Sequence, residues 1–332
     1  MMGKTMNSNI SLKGIGDILK KADSILIFTH VNPDGDAAGS ASALCSALRD
    51  MKKKAWVIVD EDIPGYIDFI NTEYFTTDKH VEEAPDVCVC VDCSEQSRIN
   101  GRFGKYNAGK TKICIDHHLI DNGFEQSGFA DYYYIDSDEA AASQIVYKLL
   151  KAMKINITVP IAEAIYTGIV TDTGSFQYSN TTYETHMIAA ELLNAGIDKM
   201  KIMISLYQSV SLSKIKLQNK IMDTLEIFCG GKAAAVYVTQ DMVKNANADV
   251  DDSEGVIDTV RNINGIEIAA FLKEKDDSIK VSLRAKSEAR VDDIASYFGG
   301  GGHMKAAGCT LNEPISDAKK LIIEKIEKYL EN

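Results

Sequence analysis

Four apolar stretches of this 332-residue chain stop at a carboxylate or an imidazole. Residues 24–29 run into His30-Val31-Asn32-Pro33-Asp34-Gly35-Asp36, and residues 112–115 into Asp116-His117-His118. Residues 87–91 end at Asp92, and the helical run 161–170 ends at Thr171-Asp172. Strands that repeatedly end on charged groups place those groups along one rim of a sheet. In open α/β sheets, the ligand site lies outside the carboxyl ends of the strands. The sequence therefore predicts an α/β fold with a metal-dependent site at that rim.

The chain is long enough for two domains with ordinary cores. Its first half alternates strand and helix signals, the pattern of a mostly parallel, Rossmann-like sheet. Strands are expected near 24–29, 55–59, 87–91, 112–115 and 132–135. Ala142, Ile145, Val146, Leu149 and Leu150 recur at helical spacing. A further helix opens at Thr181 and Glu184 in capping-box spacing and stops at Gly196. Residues 201–230 read as a helical connector that ends in a hinge at Cys229-Gly230-Gly231, since a glycine pair punctuates strongly. This divides the chain into a metal-binding domain over 1–200, the connector, and a smaller α/β domain over 231–332. In the last, strands are expected at 233–239, 267–273 and 279–284, with helices at 255–261, 291–298 and 315–330.

A formal net charge of −12 argues against tracking along long nucleic acid, which needs an extended basic surface. Small anionic substrates stay open, because bound cations invert the charge of an acidic cleft. No apolar run is long enough to span a bilayer, and residues 1–11 lack the apolar core of a secretory signal. The expected setting is cytoplasmic, with no membrane partner. Seven cysteines scattered through apolar segments do not form a disulfide framework. Cys90 and Cys93 make a C-x-x-C, the spacing of a redox pair or half a zinc site. Without a second pair they read as small hydrophobes.

Histidine and aspartate without cysteine form a nitrogen and oxygen donor set suited to manganese, with iron, cobalt, magnesium or zinc as substitutes. The Pro33-Asp34-Gly35 turn lets His30, Asp34 and Asp36 converge. Two such clusters sharing one carboxylate would hold two divalent cations about 3.5–4 Å apart, a pair that activates water and clamps phosphoryl oxygens.

The four segments resemble the DHH phosphoesterase superfamily: 30–40, Val91-Asp92-Cys93-Ser94, Asp116-His117-His118, and Thr171-Asp172-Thr173-Gly174-Ser175-Phe176. The run Gly299-Gly300-Gly301-Gly302-His303, followed by Ala306-Ala307-Gly308, resembles that superfamily's DHH-associated domain. Size and domain plan look most like its bifunctional oligoribonuclease and 3′,5′-bisphosphate nucleotide phosphatase type. The resemblance implies a catalytic centre in a cleft between the two domains, with manganese as the usual metal. By position, His30, Asp34 and Asp92 would hold one metal. Asp36, His117 and Asp172 would hold the second, with Asp92 bridging. Asp116 would orient a histidine, and His118 would contact the scissile phosphate or assist the leaving group.

Four consecutive glycines allow positive φ and close backbone approach to a ligand, and successive N–H groups cradle an anion. Gly300, Gly301, Gly302, His303 and Arg284 would then grip a terminal phosphate, the arginine in a bidentate contact. Ser282-Leu283-Arg284-Ala285 departs from the family's Ser-Leu-Arg-Ser by one hydroxyl, which bears on substrate preference and leaves the metal centre intact. Arg98 reads equally as a phosphate contact or as a surface or helix-capping residue. Ser94 reads as a turn hydroxyl, His80 as solvated, and His186 as a surface or packing residue. Trp56 and the Tyr132–134 run read as sheet residues, one tyrosine being suited to stack on a base.

The resulting expectation is a manganese-dependent phosphohydrolase in which a hydroxide bridging two metals attacks phosphorus in line. Its substrates would be very short RNA, cleaved to 5′-mononucleotides, and 3′-phosphoadenosine 5′-phosphate (pAp), cleaved to AMP. Alternatives are a cyclic or linear dinucleotide phosphodiesterase, a RecJ-type single-strand exonuclease, an inorganic pyrophosphatase and a nucleotide sensor without turnover. The connector helices, read as exposed, leave room for a homodimer.

Overall fold

The computed structural model describes residues 6–61, 63, 65–78, 80–118, 124 and 128–331, with the backbone alone at Asn100 and His303. It forms two compact units, one ending at Ser209 and the other beginning at Val210.

In the first unit the elements run β1 (Met6–Ser8), α1 (Leu12–Lys21), β2 (Ser24–Phe28), α2 (Gly35–Asp50), β3 (Lys54–Ile58), β4 (Phe75–Thr76) and β5 (Val87–Val91). They continue through α3 (Phe103–Asn107), β6 (Thr111–Asp116), β7 (Tyr132–Asp136), α4 (Ala142–Ala152), α5 (Val159–Asp172), α6 (Tyr183–Asn194) and α7 (Lys199–Tyr207). The seven strands are ordered β1-β7-β6-β5-β2-β3-β4. All pairings are parallel except β1 with β7. From β2 the chain builds outward through β3 and β4. It then returns to β5 on the other side of β2 and builds through β6 and β7. The strand order therefore reverses between β2 and β5, and a crevice at such a switch point is where open α/β sheets bind ligands.

The central strands β2 and β5 are buried on both faces, as the strands of a covered parallel sheet are. Ile25, Ile27, Val89 and Ile113 face the core under α2, α4 and α5. Leu26, Phe28, Cys88, Cys90 and Cys114 face a second core with Tyr106 and Phe129. The C-x-x-C cysteines thus lie in apolar packing, and all seven cysteines are free.

Helix α2 is rich in alanine, glycine and serine, and this sets how closely it packs on α5. A Cβ on Gly39 would lie 2.4 Å from the Ala164 carbonyl oxygen, and one on Gly168 would lie 2.5 Å from Asp36 Oδ1. The small residues therefore hold the N-terminus of α2 and the C-terminus of α5 side by side.

The second unit contains α8 (Leu212–Met222), β8 (Glu226–Phe228), β9 (Ala233–Val238), α9 (Gln240–Ala246), α10 (Val256–Asn262) and β10 (Ile268–Glu274). After these come β11 (Ile279–Ala285), α11 (Val291–Tyr297), β12 (Gly301–His303), β13 (Ala306–Leu311) and α12 (Ile315–Leu330). Its six strands are ordered β12-β13-β11-β10-β9-β8, with β9 and β10 parallel and the other pairs antiparallel. Helices α11 and α12 cover one face of this sheet, and α8, α9 and α10 pack on the other.

Three expectations need correction. Cys229-Gly230-Gly231, expected as a hinge, is the turn of the β8–β9 hairpin, with φ of 50°, 63° and 91° in succession. The connector expected at 201–230 is shared between the units: α7 belongs to the first, and α8 and β8 to the second. Helix α6 is capped by Thr182 rather than Thr181. The Thr182 hydroxyl accepts from Thr185 N–H at 3.2 Å, and the Thr185 hydroxyl accepts from Thr182 N–H at 3.2 Å.

The α2–α5 contact predicts that Gly39→Val forces backbone apart and destabilises the protein by at least ~1–3 kcal/mol. Urea denaturation followed by circular dichroism would measure this, and an unchanged midpoint would show that the helices can separate freely.

Candidate metal centre

His30 follows β2 and Asp92 follows β5, so the two residues flank the switch point. His117 follows β6, while Asp36 and Asp172 sit in the first turn of α2 and the last turn of α5. Asp92 holds a φ of 56°, an uncommon conformation for a residue with a Cβ. Its N–H is fixed on the Ile115 carbonyl at 2.9 Å. At this bend its two oxygens face different imidazoles: Oδ2 is 3.5 Å from His30 Nε2, and Oδ1 is 3.4 Å from His117 Nε2.

Around these two histidines the side chains gather into clusters. His30 Nε2 lies 3.9 Å from Asp34 Oδ1. His117 Nε2 lies 3.0 Å from Asp172 Oδ2 and 3.8 Å from Asp36 Oδ2. His30, Asp34 and Asp92 offer donor atoms close enough to share one cation, and so do Asp36, His117 and Asp172. Asp92, His117 and His118 form a third such group.

The backbone fixes the tautomers that ligation needs. His30 Nδ1 donates to the Val31 carbonyl at 2.8 Å, and His117 Nδ1 donates to the Glu139 carbonyl at 3.3 Å. Each imidazole then presents Nε2 to the carboxylates. Asp116 Oδ1 accepts from the N–H groups of His117 and His118, at 2.7 and 3.1 Å, and from His118 Nδ1 at 2.8 Å. Asp92 Oδ1, His117 Nε2 and Asp116 Oδ2 are buried and have no hydrogen-bond partner. Buried polar atoms seldom go unsatisfied, and Asp92 Oδ1 and His117 Nε2, which face each other at 3.4 Å, fit a cation.

The electrostatics point the same way. Burial raises the Asp36 carboxyl, and Asp92 and Asp172 push it further up. Burial also raises Asp172, and Asp92 and Asp34 add to this against the easing effect of His117. Asp172 further ends α5, where the helix already presents its negative pole. Burial works against the charge on Asp92 as well, but the His117 and His30 imidazoles outweigh it and hold the carboxyl well below the usual range. Burial similarly opposes a charged His117, yet Asp172 and Asp92 raise it to about 12. The imidazolium therefore stands in for a cation: its stabilising effect is complete below 6.5 and is lost as pH rises toward 12.

Several supporting contacts carry no sequence signal of their own. Asp36 caps α4 across 106 residues, its oxygens accepting from Ala142 N–H at 2.6 Å and Ser143 N–H at 2.9 Å. Asn180 Nδ2 donates to the carbonyls of Ala140 and Asp172, at 3.1 and 3.0 Å, and so ties the backbone of a candidate ligand to the loop that anchors His117. Glu139 is held by Gln144 at 2.6 Å and by Lys148. No short motif marks Asn180 or Glu139, because their contacts run through backbone carbonyls far apart in sequence.

Arg98 lies near enough for its charge to lower His30, and its carbonyl accepts from Val31 N–H at 2.8 Å. His80 is exposed, and His186 stacks on Phe176 with ring centroids 5.2 Å apart. In the second unit, Arg284, Gly300, Gly301 and Gly302 line a groove of about 570 Å³. Half of the glycine run is strand, since Gly301–His303 pairs with β13. The side chain of His303 lies outside the described residues. No helix among the described residues is long and apolar enough to cross a membrane.

Residues 24–169 match the DHH family, N-terminal domain, and residues 230–332 match the DHHA1 domain. The bifunctional oligoribonuclease and PAP phosphatase NrnA of Thermus thermophilus is 32% identical, over 95% of this chain and 93% of its own. The protein of the same name from Bacillus subtilis is 29% identical, over 87% of this chain and 90% of its own. An exopolyphosphatase-related protein from Bacteroides fragilis, known from its crystal structure, has a TM-score of 0.89 and 28% identity, covering 96% of both chains.

Ligation needs a neutral His117, so binding of a divalent cation must expel a proton near neutral pH. Calorimetric titration with Mn²⁺ in buffers of different ionisation enthalpy should show proton release and an affinity that rises from pH 6 to pH 8. Affinity independent of pH would mean that His117 is not a ligand.

Proposed function

We propose that this chain, which belongs to the DHH phosphoesterase family, hydrolyses very short oligoribonucleotides to 5′-mononucleotides and converts pAp to AMP. The observation that carries the reading is the meeting of two carboxylate–imidazole clusters at Asp92, whose buried Oδ1 lacks a partner. The names of the Thermus and Bacillus relatives supply the two substrate classes.

His30, Asp34 and Asp92 would hold one divalent cation, and Asp36, His117 and Asp172, with Asp92 shared, would hold the other. The nitrogen and oxygen donors favour manganese. Such a pair supplies a hydroxide nucleophile at neutral pH and neutralises charge on the phosphoryl oxygens. The remaining roles belong to the chain itself. Asp116 takes the Nδ1–H of His118 and raises its pKa, leaving Nε2–H to donate to a phosphoryl or leaving oxygen. Arg98 adds positive charge on the His30 side. Arg284, Gly300, Gly301, Gly302 and His303 would receive a terminal phosphate. The small anionic substrate then needs no extended basic surface, in keeping with a net charge of −12. Seven free cysteines support a reducing compartment, the cytoplasm.

Product analysis decides the reading. With Mn²⁺, pApA and pAp should both yield AMP, while long RNA and pyrophosphate remain largely intact and chelator stops turnover. Asp92→Ala removes the shared carboxylate and should lower turnover by more than about 100-fold, beyond the usual effect of losing a group that only supports a ligand. Turnover confined to long RNA or pyrophosphate would move the function to another branch of the family. Nucleotide binding without any turnover would make the chain a sensor.

A further inference from the structure

Along β11, Lys280, Ser282 and Arg284 alternate with Ile279, Val281, Leu283 and Ala285, which are buried in the core under α11 and α12. The polar set lines the groove together with Gly301, Gly308 and Thr310. The strand register sorts these residues into three rungs. Arg284 is opposite Ala306, itself opposite His303; Ser282 is opposite Gly308, itself opposite Gly301; and Lys280 is opposite Thr310. The middle rung carries nothing larger than a serine hydroxymethyl, so a notch separates a cation at either end.

The glycines show which part of this groove the fold itself requires. Gly299 has a φ of 73°. A Cβ on Gly300 would lie 2.1 Å from the Gly308 carbonyl oxygen, and one on Gly302 would lie 2.6 Å from that of Ala306. Gly301 differs, because a Cβ there meets nothing within 4 Å and its φ is not in the left-handed region. Neither backbone conformation nor packing demands glycine at 301. Its effect is to keep the notch clear.

Charge singles out the far end. Lys280 stands directly opposite Lys273 on β10, and like charges on facing strand positions repel. Lys273 is half-buried, lies 3.5 Å from the Val250 carbonyl oxygen, and has Glu254 and Asp251 nearby. Lys280 is exposed and takes part in no ion pair among the described residues. An uncompensated lysine beside a threonine hydroxyl, at the end of a groove that starts at an arginine, matches a polyanion with regularly spaced charges.

We propose that the groove holds a further phosphodiester of the substrate: Arg284 takes one phosphate, the Gly301–Gly308 notch the sugar between, and Lys280 with Thr310 the next phosphate. The four-residue separation spans ~13 Å of strand, which two long flexible side chains narrow by leaning inward. This rests on the short-RNA reading above and makes Lys280 a residue that senses substrate length. In pApA one phosphate is scissile and the other is terminal, so none remains for Lys280. The first substrate with a phosphate to spare is pApApA.

The test compares wild type, K280E and Lys280→Arg on pAp, pApA, pApApA and pApApApA with Mn²⁺, and also titrates pApA and pApApA calorimetrically in chelator at several salt concentrations. In K280E, KM for the two longer substrates should rise about three- to tenfold with kcat little changed, and the salt dependence of pApApA binding should fall by about 0.7 in log–log slope. Values for pAp and pApA should stay within about twofold of wild type, and arginine should restore the rest. Equal losses at every length, or no loss at any, would overturn the proposal. Wild-type protein that turns over none of these substrates would refute the short-RNA reading instead. The chelator titration would still decide the role of Lys280, through a selective loss of pApApA binding or its absence.

Discussion

Asp92 faces His30 with one oxygen and His117 with the other, from a buried position beside the switch point of the parallel sheet. Much of the first unit serves this arrangement. The left-handed backbone at residue 92 turns the side chain across the strand ends instead of along them. Parallel neighbours β2 and β6 deliver one imidazole from each side, and the carbonyls of Val31 and Glu139 fix which nitrogen points inward. The cost is a buried group of carboxylates, some of them pushed up by the others. In the metal-free protein, charged His117 offsets part of that repulsion, and divalent cations would do so more fully.

Helix packing completes the centre. Because α2 is built of small residues, its first turn lies against the last turn of α5, which brings Asp36 to Asp172. Asp36 also caps α4, so one side chain ties together the start of two helices and the centre. Change at residue 36 would therefore disturb packing as well as the proposed ligation, whereas Asp34, exposed and capping only its own helix, is more local in effect.

The parts readable from sequence were those that depend on local pattern. Apolar runs ending at His30, Asp92 and Asp116 gave β2, β5 and β6 to within a residue or two, and the helical stripe gave α4. The parts that were not readable depend on distant partners. β1 and β4 are short edge strands without an apolar run of their own, and β12 is mostly glycine, so its pairing with β13 leaves no signature beyond the glycines. The Cys229-Gly230-Gly231 turn carries the same glycines that a hinge would, and only the β8–β9 pairing distinguishes the two. Asn180 and Glu139 act through backbone carbonyls at Ala140, Asp172 and Glu139 itself, and such contacts have no sequence spacing.

In the proposed centre, two cations share Asp92. Two Mn²⁺ ions joined by one carboxylate are exchange-coupled, while isolated ions are not. Electron paramagnetic resonance during a Mn²⁺ titration of the full chain tests this directly. Two ions should bind per chain with a coupled spectrum, lost in Asp92→Asn while His30 and His117 remain. One ion per chain, or two with the six-line spectrum of isolated Mn²⁺, would contradict it.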